Sequence, residues 1–162
     1  MIDIGRLPKA ELHMHIEGSL EPETMLALAA RNEVAIPFRS VEEVKQACNF
    51  TNLQTFLDLY YAGLTVMVTR QDFFEVTYAY LRKAQADRVV HAELFISPQA
   101  HLRRNIAFAD MMDGILEAMA AGEKDLGVTS GLVLGLQRQF PEAEGFEMLS
   151  LAEPYRERYI GL

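Results

Sequence analysis

Cysteine occurs once in this chain, at position 48, so no disulfide can form within it. That economy suits a reducing compartment, and a cytoplasmic location is expected. Positive charge is scarce as well: 15 Lys and Arg stand against 23 Asp and Glu, a formal net charge of −8. The basic residues are dispersed, so no patch is built to hold a phosphate backbone, and nucleic acid is excluded as an expected partner. No apolar run approaches the roughly 18 residues of a spanning helix, which argues against a membrane partner. The opening residues lack a charged-then-apolar leader. Internal repeats and low-complexity tracts are missing too.

What remains is an ordinary globular composition, half hydrophobic and 23% charged, over 162 residues. That suits one domain, spanning residues 1–162. Residues 10–16 alternate polar Glu11, His13 and His15 with apolar Leu12, Met14 and Ile16, the period of a strand. Gly18-Ser19 breaks it, and Pro22 opens a helix that ends near Asn32. Ser40 and Glu43 have capping-box spacing for a helix over 41–48. Asn52 caps another, whose apolar face carries Leu53, Phe56, Leu57, Tyr60 and Leu64. A third helix runs from Thr69 to Ala86.

Strand and helix then alternate. Residues 89–96 read as a strand, 107–121 as a helix stopped by Gly122, 129–136 as a strand, 142–151 as a helix, and 159–162 as the start of a fourth strand. Such alternation predicts an α/β fold with about four parallel strands and crossover helices. Three helices in succession form an insertion after the first strand. Element order alone allows a small open sheet or half of an eight-stranded barrel. A chain that stops inside a buried-looking parallel strand is expected to continue in the complete protein.

The chemistry concentrates in Leu12-His-Met-His-Ile-Glu-Gly18. Residues two apart on a strand share a face, so His13 and His15 project together and could hold one metal ion at the strand's open end. Paired imidazoles suit zinc, given a third protein ligand and an open position. Two histidines alternating on a half-exposed strand would give the same pattern without a metal.

The segment Pro8-Lys-Ala-Glu-Leu-His-Met-His-Ile-Glu-Gly-Ser-Leu20 resembles the opening signature of the adenosine/adenine deaminase family of metal-dependent hydrolases. The likeness continues through Asn52-Leu-Gln-Thr-Phe-Leu-Asp-Leu-Tyr-Tyr61 and Val89-Val-His-Ala-Glu-Leu-Phe-Ile-Ser-Pro-Gln-Ala-His101, and weakly to Leu162. It implies the N-terminal part of a TIM-type (β/α) barrel that uses Zn2+ to hydrolyse an exocyclic purine amine, releasing ammonia. His13 and His15 would be metal ligands, and Glu17, Phe56 and Tyr60 would meet the purine substrate. Adenosine deaminases carry Asp where this chain has Glu17, so the Ile-Glu-Gly version resembles the branch acting on free adenine. A longer acidic side chain would fill space that a ribose needs.

By family order, the catalytic Glu, His and Asp and the remaining metal ligands follow the fourth strand and are expected to lie outside these residues. The chain alone should therefore bind zinc poorly and not turn over substrate. Gln139 stands where the family often has histidine. Two rivals remain: an adenosine deaminase acting on the nucleoside, and a non-catalytic half-barrel that self-associates into a homo-oligomer to cover its open sheet edge.

His91 and Glu93, on one strand face with Phe95, are expected to bond each other inside a barrel. His101 is read as structural. Cys48 has no partner pattern that would make it a nucleophile. The Pro-Cys-x-x-Cys of cytidine-type deaminases is absent, which excludes that unrelated zinc fold.

Overall fold

A computed structural model describes residues 3–162. The first strand, β1, spans Lys9–His15, followed at once by a 3-10 turn over Ile16–Ser19. Four helices come next: α1 Pro22–Arg31, α2 Val41–Ala47, α3 Leu53–Val66 and α4 Arg70–Ala86. Their starts follow the predicted caps. Ser40 accepts from the Glu43 N–H, and the Asn52/Thr55 and Thr69/Asp72 pairs form reciprocal boxes, each removing two of the helix's orphan donors. β2 spans Val89–Ile96, α5 Pro98–Leu102, α6 Phe108–Leu126, β3 Thr129–Leu134 and α7 Glu142–Ala152.

The sheet is parallel, in the order β1-β2-β3. The expected fourth strand is reduced to one bridge, between Val133 and Gly161. Two backbone bonds hold it: Ile160 N–H to Leu132 O at 2.7 Å and Leu134 N–H to Gly161 O at 3.1 Å. Among the described residues the fold is thus three strands and the first contact of a fourth.

Three further boundaries differ from the sequence reading. Gly122 does not end α6, which runs on to Leu126. The stop is Gly127, whose φ of 69° places it in the left-handed region that only glycine adopts freely. Helix α5 was not anticipated, although Pro98 directly after Ser97 is a helix-start signal. β3 ends at Leu134, two residues before the predicted boundary, where Gly135 turns back to bond Ile96 O at 2.7 Å.

The core lies between the outer face of the sheet and the helices. Ala92, Leu94 and Ile96 of β2 and Leu132 and Leu134 of β3 pack against Phe73, Met111, Met112 and Ile115. α6 meets α4 closely because Gly114 and Gly122, two turns apart on one face, present no side chain to it. A Cβ at Gly114 would lie 2.3 Å from the Arg70 carbonyl oxygen.

Arg104, in the turn after α5, reaches back to α3. Its guanidinium donates to Leu64 O at 3.0 Å, Met67 O at 3.3 Å and Thr65 O. It thereby serves carbonyls of the last turn of α3 and of its C-cap, where intrahelical donors run out. None of the described helices is long and apolar enough to cross a membrane.

Candidate metal-binding and substrate site

β1 does not keep the clean two-residue alternation its sequence suggests. Glu11 pairs with Ala92 and Met14 with Leu94, so Leu12 and His13 together face a single residue of β2. This is a β-bulge, with His13 at a φ of 69°, and bulges commonly re-aim a side chain near a functional site. Leu12, one of the apolar residues of that alternation, is 61% exposed, because the extra residue breaks the alternation there.

The bulge nevertheless leaves both imidazoles together. Their ring centres are 5.2 Å apart, and both lie against one ring, Phe95 of β2. His13 stacks on it at 4.2 Å and 9°, His15 at 5.3 Å and 29°. Zinc bound through a ring nitrogen at about 2.1 Å sits about 3.2 Å from that ring's centre, so two rings at a tetrahedral angle stand about 5.2 Å apart. The observed spacing equals that figure, and two imidazoles are a donor set suited to zinc. Among the described residues, no cluster of three or more His, Cys, Asp or Glu side chains completes a set. Phe95, the platform for both rings, was not singled out from the sequence, although its place on the His91–Glu93 face was visible.

The two rings line a cavity of about 1220 Å³ that also touches Phe56, Leu57 and Tyr60 of α3 and residues 135–139 after β3, and continues along the free edge of β1. Phe56 is 40% exposed and stacks on Tyr60 with ring centres 6.0 Å apart. Gln139, where the family often has histidine, contacts the Tyr61 hydroxyl at 3.5 Å.

Glu17 is placed differently from the other substrate-site candidates. It is 1% exposed, beneath the cavity wall, with His101 of α5 beside it at 0%. Its Oε1 accepts from the Ser97 N–H at 2.7 Å and lies 3.6 Å from His101 Nε2. Burial pushes the carboxyl up, but the facing imidazole and the backbone N–H groups of Glu17 and Ser97 outweigh it and hold its pKa below the ordinary value. The Tyr60 hydroxyl sits beside this carboxylate and Ser97; its pKa is pushed up by burial and then by the negative charge of Glu17. His91 does not bond Glu93. Its Nδ1 meets Thr129 Oγ1 at 2.8 Å, because Thr129 is its register partner on β3, nearer than a residue two along its own strand.

Comparison with known proteins gives the family and the fold. The family model described as adenosine deaminase matches residues 8–162. Adenine deaminase of Stutzerimonas stutzeri is 50% identical over 159 residues, covering 98% of this chain and 50% of that protein. The Wolinella succinogenes enzyme of the same name is 48% identical over 159 residues, covering 98% and 48%. Among solved structures, adenine deaminase from Arthrobacter aurescens superposes with a TM-score of 0.88 at 42% identity, over 94% of this chain and 46% of that one. A zinc-bound amidohydrolase from Burkholderia ambifaria does so at 0.84 and 26% identity, over 98% and 44%. The chain spans about half the length of the relatives it matches. Its three parallel strands and their helices are part of a (β/α) barrel, and the chain belongs to the adenosine deaminase family.

Proposed function

We propose that this chain supplies one half of a zinc-dependent adenine deaminase, a hydrolase that replaces the purine 6-amino group by oxygen and releases ammonia. The observation that carries the reading is the convergence of His13 and His15 at a ligand spacing on the wall of a cavity. These two imidazoles would hold the ion, whose Lewis acidity makes water a nucleophile near neutral pH. Phe56 and Tyr60 offer aromatic faces to a flat purine. Glu17 shapes the wall beneath Tyr60 and so bears on the choice between base and nucleoside. The catalytic Glu, His and Asp and the third ligand would come from outside residues 1–162, and a cytoplasmic setting suits the lone cysteine.

The test joins residues 1–162 to the remaining half of the Stutzerimonas stutzeri enzyme and follows ammonia release. Adenine is expected to be turned over in preference to adenosine, and the 162-residue chain alone is expected to release none. A joined enzyme that prefers adenosine would overturn the substrate, and one that remains active after exhaustive zinc removal would overturn the cofactor. In the same enzyme, Phe56→Ala should raise KM for adenine about tenfold, the equivalent of about 1.4 kcal/mol of lost apolar contact. Its melting temperature should change little, since Phe56 is already part exposed.

A further inference from the structure

We propose that Glu17 and His101 are a buried positioning pair for the metal-ligand imidazoles, so that Glu17 acts on the site from beneath rather than by touching substrate. The inference rests on the reading above, because it concerns the same two rings. Both side chains are fully enclosed. Neither ring nitrogen of His101 has a hydrogen-bond partner, and neither does Glu17 Oε2. Buried polar groups left so sparsely satisfied are costly, and general packing does not call for them. Phe73, edge-on to the His101 ring at 5.0 Å, supplies no polar atom. The two side chains face each other, with Nε2 and Oε1 3.6 Å apart.

Chain connectivity shows what the pair fixes. Glu17 lies two residues beyond His15, in the turn that leaves β1. Ser97, which donates to Glu17 Oε1, lies two residues beyond Phe95. The His15↔Phe95 register pair is therefore closed, just past the strand ends, by the Glu17–Ser97 bond. Phe95 is the surface on which both imidazoles rest. Withdrawing the Glu17 oxygen frees the turn and the end of β2 to move apart, and the spacing of the two rings moves with them. His101 enters from α5 and sets its Nε2 3.6 Å from the carboxylate, on the side away from solvent. Groups hydrogen-bonded directly to metal ligands change affinity by about 10- to 100-fold when removed, and a pair one bond further out belongs at the lower end of that range.

The experiment titrates zinc into the metal-free joined enzyme, in which the remaining ligands are present, and follows the ring signals of His13 and His15 by NMR, with urea unfolding of each variant measured without metal. Glu17→Ala and His101→Leu are expected to weaken zinc binding by about tenfold or more, while the chain is still folded under the titration conditions. His101→Gln keeps a polar side chain facing Glu17 and should stay within about threefold of wild type. If Glu17→Ala does not fold, Glu17→Asp keeps the charge and draws the oxygen back from Ser97 by about one methylene, and the same loss is expected of it. Zinc binding in the folded variants equal to wild type would overturn the positioning role and leave the imidazole pair standing as metal ligands. Zinc shifts in wild type no larger than in a His15→Ala control would overturn both.

Discussion

Adenine deamination by the joined enzyme is expected to fall about a thousandfold when His13 is replaced by either alanine or glycine, and when His15 is replaced by alanine. A catalytic metal contributes several kcal/mol to transition-state stabilisation, and each 1.4 kcal/mol is tenfold in rate. The two His13 variants should differ in stability, however. Residue 13 has a φ of 69°, a conformation that costs a side-chain-bearing residue about 1–2 kcal/mol. Both substitutions lose the stack on Phe95, but only glycine relieves the backbone, so His13→Gly should unfold at higher urea than His13→Ala by about 1 kcal/mol. Equal inactivity with unequal stability would show that the imidazole, not the bulge, carries the chemistry. A glycine variant less stable than the alanine one would mean that the bulge is not strained. Strain held at a functional position fits the usual conflict between stability and activity.

Gly114→Ala should destabilise the chain by about 3 kcal/mol, whereas Gly122→Ala should cost under about 1 kcal/mol. Helix propensity alone favours alanine at both positions by about 1 kcal/mol, so any large loss must come from packing. At Gly114 the added Cβ would meet the Arg70 carbonyl oxygen at 2.3 Å and Phe73 Cβ at 3.0 Å. Neither is the end of a flexible chain, and α4 and α6 would have to separate. At Gly122 the obstacle is Leu81 Cδ1 at 2.6 Å, a methyl that can rotate aside. Urea midpoints of the two variants measure the contrast directly. A stabilised Gly114→Ala would mean that the helices do not approach as closely as described.

Much of this architecture was legible in the residues. The caps at Ser40, Asn52 and Thr69 mark helix starts because side-chain acceptors there answer orphan N–H groups, and that need is local. The β2 limits at Val89 and Ile96 were readable for a similar reason, since turn residues bound an apolar run. Gly122 misled because a glycine that ends a helix and one that admits a neighbouring helix look alike until the neighbour is placed. The bulge at Leu12-His13 was hidden for a related cause: it exists only in the pairing of β1 with β2, and alternation in one strand says nothing about its partner's register. Glu17 was named from the sequence as a substrate contact, yet its carboxylate faces Ser97 and His101, 80 and 84 residues further along. His101 was read as structural, and it lies buried beside Glu17. No spacing rule would have joined it to Glu17.

The three carbonyls gripped by Arg104 give α3 unlike ends. Its last turn is tied through a cation to the segment following β2, whereas its first turn begins at Leu53, 71% exposed, and carries Phe56 one turn further on. Any tilt of α3 pivots on that guanidinium, so it would shift Phe56 at the cavity more than Leu64 at the clamp.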